Sequence, residues 1–430
     1  MDYQEARGFI EKISAGGSKL GLDTIASLLE LLENPQDQLK FIHIAGTNGK
    51  GSVLAYLSSV LEKSGYRVGR YISPTLFSYR ERIQINGEYI SREEFAKLTE
   101  LVAEAYGKME ERGMDLPTVF EIETAISFLY FLEKKCDIVL LETGMGGRMD
   151  ATNIVKTSIL TVIASISMDH MEFLGNSIAE IAWNKAGILK PGVPVVSAQQ
   201  EKEAEKVIEE EAQKKGCPAV FVDRNQFAEV HFGLEEQSFC YKEFGKTVIH
   251  LAGEHQIENA ALALECIGVL RRQGYRIGED AVKRGMEETR WKGRFSVIHE
   301  KPLVVIDGAH NPDAALRLRD SILQYFKNRK KYYIFGVFSD KEYDKIIEIT
   351  AGLAEHIYTI ETPGNPRALP KEALAEAVRR KNPSVEAADS IADAVEKSFQ
   401  AASKDDVIIA FGSLSFLGEI EKAVEAYRDK

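Results

Sequence analysis

Short apolar runs alternate with longer amphipathic stretches along most of the chain. In the first half the runs fall at 41–45, 138–141, 159–166 and 193–197, and intervening stretches such as 92–112 and 121–133 carry the spacing of helices. That alternation predicts βαβ units and a largely parallel sheet. Segment 199–215 is dense in Glu and Lys and reads as a solvated amphipathic helix with no functional assignment. Beyond it, 220–222, 228–232, 238–241 and 247–251 are short and strand-like with polar turns, predicting an antiparallel edge or subsidiary sheet before helix returns at 257–272. A second alternation begins near Phe295, with strands at 303–306, 332–335, 357–360 and 407–411 and helices at 314–326, 344–353, 371–380 and 391–402. It is complete enough for a doubly wound sheet of its own. The predicted fold is therefore α/β: a domain over 1–295 with a mostly parallel sheet and a smaller antiparallel element, then a Rossmann-like domain over 296–430. The boundary falls close to Trp291-Lys-Gly-Arg294.

The first run feeds Gly46-Thr-Asn-Gly-Lys-Gly-Ser52, and a helical pattern follows. Gly46, Gly49 and Gly51 permit tight turns and close backbone approach, so several N–H groups can converge on a nucleotide phosphate while Lys50 adds a point charge. The regular Walker A spelling is not met: two residues rather than four separate Gly46 from Gly49, and Gly51 intervenes between Lys50 and Ser52. An ordinary glycine-rich strand-to-helix turn is the competing reading.

In parallel sheets, function gathers where strands end. Tyr71-Ile72 leads into Ser73-Pro74, Leu140-Leu141 into Glu142-Thr-Gly-Met-Gly-Gly-Arg-Met-Asp150, and Ile166 into Ser167-Met-Asp-His170. If these ends are neighbours, a hydroxyl, a carboxylate and an imidazole converge beside the phosphates. That set suggests magnesium, with Glu142 the strongest ligand on oxygen preference, Ser73 next and His170 chemically unusual. Each also has a bland reading: a Ser-Pro turn, a Glu paired with a lysine, an Asp-His helix cap. Lys185 lies in an apolar helical setting, either snorkelling to solvent or holding a lowered pKa so that its neutral amine can react.

Composition narrows the partners. At 430 residues the chain exceeds the ~250–300 at which single cores stop growing, which supports two domains. The net charge of −12 argues against general nucleic-acid binding, so anionic ligands must be held by local groups. Four scattered cysteines without a C-x-x-C pair suggest neither zinc nor disulfides and fit a reducing cytoplasm. No basic-then-apolar leader and no window of ~18 apolar residues appears, so an intact cytosolic chain without a membrane span is expected.

Six ordered motifs carry a resemblance running from Leu20 to about Leu417: Gly46–Ser52; Glu142-x-Gly-x-Gly-Gly-Arg-x-Asp-Ala-Thr-Asn153; Asp169-His170-x-Glu-Phe-Leu-Gly175; Lys185-Ala-Gly-Ile188; Gly253-x-His-Gln-x-x-Asn259; and Asp307-Gly-Ala-His-Asn-Pro312. The chain resembles the folylpolyglutamate synthase family, often bifunctional with dihydrofolate synthase, within the Mur ligase superfamily. The resemblance implies ATP-dependent attachment of L-glutamate to the γ-carboxylate of a (tetrahydro)folate through an acyl phosphate. Dihydrofolate synthase activity on dihydropteroate, alone or as a second activity, is the alternative. A UDP-muramoyl ligase is disfavoured because the phosphate loop begins by residue 46, and a non-catalytic nucleotide-binding module would not need His170 or Lys185.

By the same resemblance, Thr47, Asn48, Gly49, Lys50, Gly51, Ser52, Asn259, Arg294 and Asp307 contact ATP. Ser73, Glu142 and His170 bind Mg²⁺, and Lys185 matches a lysine that takes up CO₂ as a carbamate (N6-carboxylysine). Thr118, Phe120, Glu121, Asp150 and Ala151 face the folate or pteroate, while His310 and Ser413 face glutamate, with Lys50, Lys185 and His310 the catalytic set. A monomer with small-molecule substrates is expected. Thr24, Thr75 and Lys292 depart from the arginine, histidine and proline common in the family, which leaves substrate preference more open than reaction type.

Overall fold

Strand β1 (Phe41–Ala45) is buried along its whole length. It lies inside an eight-stranded sheet in the computed structural model, which describes residues 1–13, 21–169 and 171–428. The other strands are β2 (Val68–Tyr71), β3 (Ile83–Ile85), β4 (Glu88–Tyr89), β5 (Ile138–Glu142), β6 (Ser158–Ile163), β7 (Val195–Ser197) and β8 (Ala219–Phe221), in the order β4-β3-β2-β5-β1-β6-β7-β8. All pairings from β2 to β8 are parallel, and β3 and β4 add an antiparallel edge. Side chains alternate between two cores: Ile42 and Ile44 join Val53, Leu57 and Leu264 on one face, whereas Phe41 joins Leu28, Phe95 and Ile122 on the other. Helices on both faces explain why these strands read as continuous apolar runs.

Two sequence expectations are corrected here. The run at 159–166 stops pairing as a strand at Ile163, because Ser165 turns to accept the backbone N–H groups of Thr47 and Asn48. The run at 220–222 is β8 and pairs in parallel with β7, not within the antiparallel element. The helix Lys202–Lys215 is a crossover long enough to return the chain in the same direction. The antiparallel sheet consists of β9 (Phe227–His231), β10 (Gln237–Tyr241) and β11 (Lys246–Ile249).

A third sheet starts at Ser296. Its strands are β12 (Ser296–Glu300), β13 (Leu303–Ile306), β14 (Lys331–Phe335), β15 (His356–Thr359), β16 (Val385–Ala387) and β17 (Val407–Phe411), in the order β12-β13-β17-β14-β15-β16. Only β12 runs antiparallel. Two separate cores cover its faces, one around Phe335, Phe411 and Ile346 and the other around Ile334, Phe416 and Ile420. The carboxyl ends of β1, β2, β5 and β6 open toward those of β13 and β17, forming a crevice between the sheets. Among the described residues no helix is long and apolar enough to cross a membrane.

Candidate active site

The turn after β1 is held from outside the loop. Thr47 and Asn48 donate backbone N–H groups to Ser165 O at 2.8 and 3.2 Å, and Thr47 Oγ1 donates to Ser167 O at 2.9 Å. Gly49 takes φ +90° and caps the helix Lys50–Lys63; a Cβ there would lie 2.5 Å from Asn259 Oδ1, so only glycine lets Asn259 pack against the loop. The Trp291 indole closes in the same way over Gly51, where a Cβ would meet Nε1 at 2.9 Å. The free N–H groups of the helix start at Lys50, Gly51 and Ser52 then line a chamber suited to an anion.

Lys50 Nζ donates to Gly46 O at 3.1 Å and stands 3.9 Å from Glu142 Oε1. Glu142 ends β5, is 5% exposed, and accepts the Ser73 N–H at 3.4 Å. Burial raises its pKa, and the Lys50 ammonium is the main opposing influence. A carboxylate so enclosed, with one ammonium at a distance and a serine beside it, is a hard-oxygen site that suits a further cation. His170, the third expected ligand, lies outside the described residues. Among the described residues no group of three or more His, Cys, Asp or Glu side chains is placed to hold a metal.

Lys185 closes the helix Ile178–Lys185 and is 3% exposed. Burial, reinforced by repulsion from Lys50, lowers its pKa to about 7, against the pull of Asp169 and Asp150. Snorkelling to solvent does not describe it.

Across the crevice, Asp307 follows β13, accepting Phe295 N–H on Oδ2 and Ala309 N–H on Oδ1, each at 2.8 Å, with Arg294 as the cation that opposes its burial. His310 donates Nδ1–H to Gly308 O at 2.7 Å, which leaves Nε2 a bare acceptor. Burial and Lys341 hold its pKa down at about 4, so the ring is neutral. Thr47 to Ser52, Ser73, Glu142, Lys185, Asn259, Arg294, Asp307 and His310 all line this first chamber.

A second chamber opens from it. Thr118, Phe120, Glu121, Asp150, Ala151 and Ser413 line it, together with Tyr79, Arg82, Glu123, Met149, Lys341 and Arg367. Ser73, Pro74, Gly144, Met145, His310 and Leu414 belong to both walls. Thr118 and Glu121 are occupied with each other as a capping box on the helix Val119–Glu133, so they present the helix start and one remaining carboxylate oxygen. Phe120 packs edge-on over Gly144, where a Cβ would meet the ring at 2.5 Å. Asp150 accepts Met145 N–H at 2.8 Å and Thr152 Oγ1–H at 2.5 Å. Tyr79 and Arg82 both bind Glu123.

Several residues at this crevice were not singled out by the sequence. Lys341 forms a 2.8 Å ion pair with Asp169, Asn311 Nδ2 donates to Asp169 at 3.1 Å, Asn48 Nδ2 donates to Asp313 at 2.7 Å, and an Arg317 NH₂ group donates to Ser165 Oγ at 2.8 Å. Asp169, Asn311 and their neighbours sat inside recognisable motifs; Lys341, Asp313 and Arg317 carried no signal that set them apart from surface charges. Of the departures from the family pattern, Thr24 is buried in the helix Asp23–Leu31, and Lys292 pairs with Glu421 at 2.8 Å.

Residues 44–267 match the Mur ligase middle domain, and residues 293–414 match the Mur ligase glutamate ligase domain. The chain is 35% identical over 434 residues to the dihydrofolate synthase/folylpolyglutamate synthase of Bacillus subtilis, covering 98% of this chain and 99% of that protein. Among solved structures, folylpolyglutamate synthase of Mycobacterium tuberculosis complexed with ADP and AMPPCP superposes with a TM-score of 0.88 at 29% identity, covering 100% of this chain and 99% of the other. Escherichia coli FolC in complex with DHPP and ADP gives 0.86 at 28% identity, covering 100% and 99%. With both Mur ligase domains matched in order and a relative alike along its whole length, the chain belongs to the folylpolyglutamate synthase/dihydrofolate synthase family of the Mur ligases.

Proposed function

We propose that this protein uses ATP to join L-glutamate to the γ-carboxylate of a reduced folate, releasing ADP and phosphate. The observation that carries the proposal is the shared wall: a phosphate-binding loop and a chamber with an aromatic ring and buried carboxylates meet at Ser73, Gly144, Met145 and His310. An acid held in the second chamber thus has its reactive end beside a nucleotide in the first.

A carboxylate oxygen attacks the γ-phosphorus, the bond to the ADP oxygen breaks, and an acyl phosphate results. The amine of glutamate then attacks the acyl carbon, loses a proton, and phosphate leaves. Two anions must approach in the first step, so Lys50 and the helix N-terminus stabilise charge on the moving phosphoryl group. Glu142 and Ser73, with His170 as the third ligand, would hold Mg²⁺, which when bound neutralises further phosphate charge. Asn259, Arg294 and Asp307 hold the nucleotide from both sides of the crevice. Phe120 stacks on the pteridine ring while Asp150 accepts its N–H groups. His310 and Ser413 receive glutamate, the bare Nε2 of His310 accepting a hydrogen bond from the amine. Lys185, with its pKa lowered to about 7, attacks the carbon of CO₂ as the neutral amine; a C–O π pair moves onto oxygen, an N–H proton leaves to solvent, and the carbamate so formed is an anion that helps organise the metal site.

The B. subtilis relative bears both activities in its name, and this favours dihydropteroate as a second acid substrate. Phosphate release is measured with ATP and Mg²⁺, supplying glutamate with tetrahydrofolate, glutamate with dihydropteroate, and each component omitted in turn. Release that needs glutamate and a pteridine acid together is the expected result. Release that needs a UDP-muramoyl acid instead, or none of these acids, overturns the proposal.

A further inference from the structure

We infer that His43 positions Asp150 through the hydroxyl of Thr152, and thereby sets the affinity for the pteridine-bearing substrate. The inference rests on the proposal that Asp150 faces that substrate.

His43 is the one polar residue in β1, among Phe41, Ile42, Ile44 and Ala45, and it is 0% exposed. Its Nε2 lies 2.9 Å from Thr152 Oγ1, and Thr152 Oγ1 lies 2.5 Å from Asp150 Oδ1. A hydroxyl has a single proton. The short contact to a carboxylate oxygen, which only accepts, assigns that proton to Asp150. His43 must then donate Nε2–H to Thr152, and the ring is the Nε2–H tautomer with Nδ1 bare. With that proton directed to Asp150, the opposite tautomer would set two acceptors, Nε2 and Oγ1, face to face at 2.9 Å.

Nδ1 has no hydrogen-bond partner and is buried. An orphaned ring nitrogen is costly in an apolar strand, and any aliphatic residue would avoid the cost. What the imidazole supplies in return is one N–H aimed at Thr152. Burial and the charge of Lys190 keep the ring neutral, so it serves as a fixed donor and not as a titrating group. Donation into the hydroxyl polarises it and strengthens its bond to Asp150, as in any chain of hydrogen bonds in a low-dielectric interior. Asp150 is 3% exposed; burial raises its pKa, and the N–H groups of Thr152 at 3.1 Å and Met145 at 2.8 Å oppose that rise and orient the carboxylate along one edge of the second chamber. His43 touches neither substrate nor nucleotide; it is a positioning residue.

The test compares His43→Leu, His43→Gln and Asp150→Asn by steady-state kinetics with tetrahydrofolate and dihydropteroate, and reads the ring tautomer of the unmodified protein by ¹⁵N NMR of labelled histidine. His43→Leu is expected to raise KM for both acids by about tenfold, the worth of one good hydrogen bond, with KM for ATP and kcat within about twofold. His43→Gln, whose amide N–H reaches nearly the place of Nε2–H, is expected to stay within about twofold of the parent. The spectrum should show Nε2–H with Nδ1 unprotonated. An Nδ1–H tautomer, equal losses for ATP and acid, or unchanged KM in His43→Leu while Asp150→Asn raises it, overturns the inference. If Asp150→Asn also leaves KM unchanged, the placement of the substrate against Asp150 is what has failed, and the role of His43 falls with it.

Discussion

Replacing Lys341 with methionine removes the ammonium that ties the loop after β14 to Asp169 and keeps the apolar stem. The pair is 2.8 Å apart with side chains 8% and 10% exposed, so it is not a surface ion pair worth ~0–1 kcal/mol. Breaking a pair this buried costs ~3–5 kcal/mol where it strands one charge. Asn311 still donates to Asp169 and His310 stands 3.8 Å from it, so the carboxylate is not stranded and the loss falls at or below the lower end of that range. The net is about 2 kcal/mol, roughly a thirtyfold shift in an equilibrium. Asp169 belongs to the first sheet's end and Lys341 to the third sheet's, so the loss falls on their contact and not on either core. The expected outcome is a fall of about tenfold or more in kcat/KM, more phosphate released per amide formed as water reaches the acyl phosphate, and a melting temperature moved by only a few degrees. His310 also loses the repulsion that holds its pKa down, so that pKa rises. A double-mutant cycle with Asp169→Asn separates the pair from each side chain's other contacts. Unchanged kcat/KM with an unchanged phosphate-to-amide ratio would refute the reasoning.

Gly49→Ala places a methyl 2.5 Å from Asn259 Oδ1 at φ +90°, so ATP affinity measured by calorimetry should drop at least about tenfold while circular dichroism is preserved; native affinity would show that the loop does not bind phosphate as described. Gly144→Ala collides with the Phe120 ring and should raise KM for the pteridine acid selectively; an effect on ATP alone would count against the second chamber as the acid site. For Lys185, a pKa lowered to about 7 means that acidification below pH 7 protonates the amine, so the rate at which CO₂-depleted enzyme regains activity with bicarbonate should fall toward tenfold per pH unit. Mass spectrometry under mild conditions should find the added CO₂, and Lys185→Ala should be rescued by short carboxylates; a rate of recovery indifferent to pH would argue for an unmodified amine.

The strands that build the crevice were legible because both faces of a parallel sheet are covered, and Phe41–Ala45, Leu303–Ile306 and Val407–Phe411 are accordingly unbroken apolar runs. Strands β12 and β16 were not, since their residues are half exposed and lack such a run. The direction of β8 was misread because three residues carry no signal of their partner; the crossover helix before them decides it. At the crevice, glycines and residues at strand ends announced themselves by position, as with Gly49, Glu142 and His310, whereas Asp307 stood out only through the family resemblance. Lys341, Asp313 and Arg317 are ordinary charged residues in the sequence; Asp313 and Arg317 pair one turn apart on their own helix, and only the approach of the two sheets brings them to Asn48 and Ser165 and brings Lys341 to Asp169. The burial of Lys185 was legible as an alternative; its geometry decides between the two.

Asn48 belongs to the glycine-rich loop after β1, yet its amide is held by Asp313 and Asn311 of the second half, and Arg317 reaches back to the serine that anchors the same loop. The chain therefore cannot be cut into two autonomous pieces at its midpoint without dismantling the crevice proposed to hold ATP. Fragments expressed separately would have to reassemble before either could recognise ATP, and transplanting the last third from a distant relative would require carrying Asn311, Asp313 and Arg317 along as a unit.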